Sequence, residues 1–214
     1  RILHELGLDR SLMAQYVWWL GRIAHGDLGY SFVHGGPVLG EIMRCLPVTL
    51  EVCVLAMLIA ILIGVPLGVL AAVQAGRPLD YIARFVALLG ISTPNFFIGA
   101  LVVVFGAIYF PKMQTLGYVP FATDPLGNLE RMIWPALTLG LGVASILIRY
   151  ARSSMLEVLG EDYVRTAEAK GLSRFAVIGV HALKNAMIPV ITAAGVWSAF
   201  LIGGTVLIEQ IFAM

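Results

Sequence analysis

Four stretches without a charged side chain set the pattern of this chain: residues 52–76, 85–111, 132–148 and 185–208. A helix needs about 20 apolar residues to cross the hydrocarbon layer of a bilayer. The four stretches therefore predict four transmembrane helices, at about 48–73, 83–110, 132–149 and 185–208, in an all-α, polytopic integral membrane protein. Within the first, Pro66 stands between Gly64 and Gly68. Proline removes one helix hydrogen bond and small residues four apart let helices approach closely, so a kinked, tightly packed span is expected. The third is only 17 residues long, near the lower limit for crossing, and Thr138, Gly140, Gly142 and Ser145 give it a small, weakly polar face.

The second stretch is interrupted at mid-membrane depth by Gly90-Ile91-Ser92-Thr93-Pro94-Asn95-Phe96-Phe97. Broken backbone survives at that depth only where it is buried in protein or faces a water-filled cavity. Two readings stay open. Ser92, Thr93, Pro94 and Asn95 line a translocation pathway, or they form a kink whose hydroxyls bond back onto the helix.

Residues 1–47 are mixed in character. Tyr16, Trp18, Trp19, Leu20 and Ile23 cluster on a short helical pattern that Gly26, Gly29, Gly35, Gly36 and Pro37 then break. An aromatic amphipathic helix fits the membrane interface, where a ring keeps one end wet. A small packed helix fits the pattern as well. Between the last two spans lies the longest polar interval, 150–184. Tyr163, Val164 and Ala167 fall on one helical face, Gly171 sits at a C-cap position, and Ser173 can cap a second short helix. This interval reads as helix, turn, helix outside the bilayer, or as no more than a solvated basic loop.

Composition agrees with the pattern. The chain is 59% hydrophobic and 13% charged, against about 25% charged in a soluble domain. Cys45 and Cys53 are separated by eight residues, about 12 Å along a helix, too far for a disulfide. Orientation follows from Lys and Arg. Loops 74–84 and 149–185 hold eight in 48 residues, whereas 1–47 and 111–131 hold six in 68, which places the first pair in the cytoplasm and the second outside. Glu51, at a span edge, has no catalytic context. No phosphate-loop motif, HExxH, Cys/His metal spacing or GxSxG serine occurs. The spans also lack the ionisable residues on which ion-coupled carriers depend. A conduit driven from outside fits better than an enzyme or secondary carrier.

The polar interval reads EDYVRTAEAKGLSRFAVIGVHALKNAMIP over 161–189. It resembles the "EAA" cytoplasmic loop of ATP-binding-cassette importer permeases, in the form of the dipeptide, oligopeptide and nickel family. The matching residues are Tyr163-Val164-Arg165-Thr166-Ala167, Ala169-Lys170-Gly171-Leu172, His181-Ala182-Leu183, Asn185-Ala186 and Pro189. The run from Gly26 to Phe32 is similar to the family's external segment. Arg165 stands where the general motif has its first glutamate. The resemblance implies a type I importer permease fold with four of six spans in this chain, both of whose ends then look cut and lie outside. It implies the cytoplasmic membrane of a bacterium or archaeon, and alternating access powered by partners. Those partners are a second homologous permease, two ATPase subunits that bind ATP and Mg, and an extracytoplasmic binding protein. The chain itself is then a transport subunit without a cofactor, metal or nucleic acid. Asp162, Tyr163, Arg165, Thr166, Ala167, Ala169, Lys170, Gly171, Leu172 and Ser173 become the expected ATPase contacts. The cargo implied is di- or oligopeptide, with nickel, glutathione or another small solute as the alternative. A membrane scaffold or enzyme with a helical loop is the competing class.

Overall fold

The computed structural model describes residues 11–33, 35–110 and 115–214. Arg1, Arg10 and Lys112, counted above for orientation, lie outside the described residues. The chain divides into two compact units, Arg1–Pro47 and Val48–Met214.

In the first unit, helix α1 (Leu12–Ala24) has no buried residue. Leu12, Met13, Tyr16, Val17, Trp19 and Leu20 are exposed. Arg22 lies over the Trp18 ring, 4.8 Å from its centroid, and pairs with Asp27 at 2.6 Å. Strands β1 (Tyr30–Ser31) and β2 (Gly36–Pro37) then pair antiparallel.

From Val38 onward the described chain is mostly helical. Helix α2 runs Val38–Val73, unbroken through Pro66. Helices α3 (Pro78–Ser92) and α4 (Asn95–Tyr109) meet at a bend of 94°. Helix α5 is Pro125–Leu159, α6 Asp162–Ala169 and α7 Arg174–Ala176. A π-helical stretch, Val177–Ala182, joins α7 to α8, Leu183–Ile211. Val38–Val73, Pro125–Leu159 and Arg174–Ile211 are each long and apolar enough to cross a membrane, and the bent pair α3–α4 supplies a fourth candidate.

The helices overrun the expected spans, and one expected span is two helices. Thr93 precedes Pro94 and is held extended at φ −94°, ψ 124°, because the proline ring disfavours α geometry in the residue before it. The span expected over 83–110 therefore breaks within the polar interruption at 90–97. Arg149 and Arg152 end an apolar run without ending α5, so residues 150–159, expected in the loop, continue that helix. Asp124 starts α5 by accepting the Gly127 N–H at 3.0 Å, with Pro125 preset for the first turn.

The core is built on small residues. Ala56, Ala60, Gly64, Gly68 and Ala72, one every four positions on α2, are all buried. A Cβ on Gly64 would stand 2.8 Å from the Ala144 carbonyl oxygen, and one on Gly140 would stand 2.7 Å from that of Ala56. The backbones of α2 and α5 thus approach as closely as glycine allows. Leu139, Val143 and Leu147 of α5, Val190, Leu201 and Ile208 of α8, and Phe212 cluster with Ala56 and Ala60.

Candidate functional site

The turn between α6 and α7 is a complete capping motif. Gly171 has φ +80°, its N–H donates to the Glu168 carbonyl at 2.9 Å, and the Leu172 N–H reaches back to Ala167 O at 3.3 Å. Those two bonds satisfy carbonyls that the end of α6 would leave open. Ser173 then accepts the Ala176 N–H at 3.3 Å and starts the next helix. Val164 and Ala167 are buried against Val177, which fixes α6 beneath the π-helical stretch. Ala167, expected to meet a partner, faces inward, because it shares a helical face with Val164. Tyr163 is exposed rather than packed on that face. Its hydroxyl accepts from Asn185 Nδ2 at 2.8 Å and donates to the His181 carbonyl at 3.4 Å, tying α6 to the foot of α8. Asp162, Arg165, Thr166, Ala169, Lys170, Leu172 and Ser173 present themselves at the surface. The surface pair Arg165–Asp162 is 3.6 Å apart.

The α3–α4 break opens on a cavity of about 270 Å³. Thr93, Pro94 and Asn95 line it from the break, Gly142 and Val143 from α5, and Trp197 and Phe200 from α8. No charged side chain is among its lining residues. Ser92, expected with the others, does not line it. Thr93 Oγ1 donates back to Leu89 O at 2.8 Å, whereas the Asn95 amide reaches across to α5. A Cβ on Gly142 would meet Asn95 Oδ1 at 2.7 Å, so the bare Cα of Gly142 is what lets the amide lie there.

Residues 64–214 match the family described as binding-protein-dependent transport system inner membrane component. The dipeptide transport system permease protein DppB of Escherichia coli strain K12 is 41% identical over 236 residues, covering 100% of this chain and 70% of that protein. A Brucella suis biovar 1 protein named as a peptide transport system permease is 42% identical over 214 residues, covering 100% of this chain and 68% of its own length. The chain belongs to this inner-membrane permease family. It is a multi-pass membrane protein and a transport subunit rather than an enzyme.

The permease carries polar contacts that sequence reasoning passed over. Asp80, in the first turn of α3, is 1% exposed. Arg152 of α5 grips it through Nε–Oδ1 at 2.6 Å and Nη2–Oδ2 at 2.9 Å. Arg84 stands 3.4 Å away and the Gly76 N–H donates to Oδ2 at 3.0 Å. A proline two residues ahead and an arginine one turn on mark Asp80 as a helix start, but its partner is 72 positions distant. Elsewhere, Thr49 of α2 donates to Glu209 near the end of α8 at 2.7 Å, and Tyr118 donates to Glu51 of α2 at 3.1 Å. Phe175, beside the Ser173 cap, is 88% exposed.

Proposed function

We propose that the chain is a permease subunit of an ATP-driven importer and forms half of the pathway through which di- and oligopeptides cross the cytoplasmic membrane. A second, homologous permease supplies the other half. Two ATPase subunits bind ATP and Mg and press on the 150–184 segment from the cytoplasm, and an extracytoplasmic binding protein delivers the cargo to the side of residues 1–47 and 111–131. Closure of the ATPases moves α6 and α7, and the long helices rock between inward-open and outward-open states. Asp162, Tyr163, Arg165, Lys170, Gly171 and Leu172 make or position the ATPase contacts, and Phe175 adds an apolar one.

The observation that carries this reading is the uncharged cavity at the α3–α4 break. A route for peptides of varying side chains must let them leave as readily as they enter, and a lining without fixed charge holds no one side-chain charge more tightly than another. An amide, small residues and two aromatic rings suit that cargo. The names of the similar permeases from Escherichia coli and Brucella suis point to the same cargo.

The test is a mild-detergent pull-down of the intact subunit followed by reconstitution of what it retains. Recovery of two phosphate-loop ATPases and a second permease, with ATP-dependent uptake of dipeptide, is the expected result. Uptake of nickel in place of peptide would move the cargo to the alternative, and isolation of the subunit alone under several detergents would favour a scaffold.

A further inference from the structure

The Asp80–Arg152 ion pair lies between the two places just described. Resting on the importer reading, we infer that it is a positioning clamp: it makes the broken helix α3 travel with α5, so that movement of the α6–α7 segment reaches the cavity wall at Thr93–Asn95. Three sets of contacts support this. First, the pair is costly to build. Burying a carboxylate among apolar helices is unfavourable unless it is paired and fully hydrogen-bonded, and well-packed apolar residues would hold two helices together at least as firmly. What the two-pronged guanidinium–carboxylate contact adds is a fixed register between α3 and α5.

Second, α3 is bound to α5 along its length. Ala83 and Ala87 are buried with Ile148 of α5, and Gly90 lies against the Ser145 side chain, leaving no room for a Cβ between them. The clamp holds one end of α3, and the cavity lining begins at the other. Third, two routes from the loop segment meet at the clamp, one along the chain and one through hydrogen bonds. Helix α5, which carries Arg152, continues to Leu159 and leads through Gly160 and Glu161 into α6. Arg174 of α7 donates to Val73 O at 3.4 Å, at the end of α2, and Gly76 just beyond it donates to Asp80.

The test uses the whole transporter in proteoliposomes and reads peptide transported per ATP hydrolysed, together with the amount of assembled complex. Two variants are compared with the parent: Asp80→Asn, and Asp80→Asn with Arg152→Gln, which replaces the charged clamp by two neutral amides and leaves only the half-exposed Arg84 guanidinium charged. In both, the complex is expected to assemble and hydrolyse ATP while the transport ratio falls at least about fivefold, the lower bound of ordinary coupling between linked sites. A parent-like ratio in the double variant would overturn the clamp, as would transport and hydrolysis falling together in proportion to lost complex. If the parent complex itself shows no ATP-driven peptide uptake, the importer reading fails and the clamp falls with it.

Discussion

Gly171 and Gly68 both resist most side chains, for different reasons. Gly171 holds φ +80° with open space around its Cα, so a substitution there meets strain in the backbone alone. A β-branched residue in that conformation costs at least about 1 kcal/mol, whereas asparagine tolerates it. Gly171→Val is expected to insert normally but lose uptake, and Gly171→Asn to keep most of it; equal uptake by the two variants in membrane vesicles would count against the cap. Gly68 has ordinary φ but no space: a Cβ would stand 2.6 Å from that of Ala151 and 2.7 Å from Ile148 O. Because the second contact is with backbone, Gly68→Ala is expected to destabilise the helix pair by about 1–3 kcal/mol, the usual range for overpacking. A lowered melting temperature of the detergent-solubilised subunit checks it. Both glycines were legible in the sequence, one from the polar turn around it and one from its spacing to Gly64. Asp80 was not, since nothing local distinguishes a buried carboxylate from a solvated one.

At the scale of elements, charge-free runs located the apolar helices but not their ends. A run ends where a charge appears; a helix ends where its backbone bonds do. Arg152 lies within α5 because its guanidinium turns to Asp80, so ten residues expected in the loop are helical. The π-helical stretch had no sequence signal, and it fuses α7 to α8. Tyr163 connects this fused helix to α6 through Asn185 and the His181 carbonyl. A hydrogen bond of this kind contributes about 0.5–1.5 kcal/mol net, which corresponds to a roughly two- to tenfold change in local opening. Tyr163→Phe and Asn185→Ala should each speed amide exchange in α6 by that factor. The double variant should exchange no faster than the faster single one, since both delete the same contact; additive effects would show that the two side chains act separately.

For the Val48–Met214 unit as a whole, apolar side chains remain exposed on several helices, among them Phe85, Leu88, Phe105, Ile108, Ile188 and Val206. In an inner-membrane permease such faces meet acyl chains or another subunit. The cavity is a property of this scale too. Residues from α3, α4, α5 and α8 line it, and only the break itself was readable in advance, from Pro94 and its polar neighbours. Asn95 is the residue where the two readings of the break give different outcomes. Leucine there keeps the helix and adds apolar bulk where the amide now lies against Gly142. If the cavity is on the peptide route, Asn95→Leu should slow ATP-driven uptake by about fivefold or more, the equivalent of roughly 1 kcal/mol added to the limiting barrier, while the ATPase subunits still co-purify in full. If Asn95 serves only to pack α4 against α5, the same change should instead cost assembled complex, and the transporters that remain should work at the parent rate. Uptake per assembled complex, measured on one preparation, separates the two.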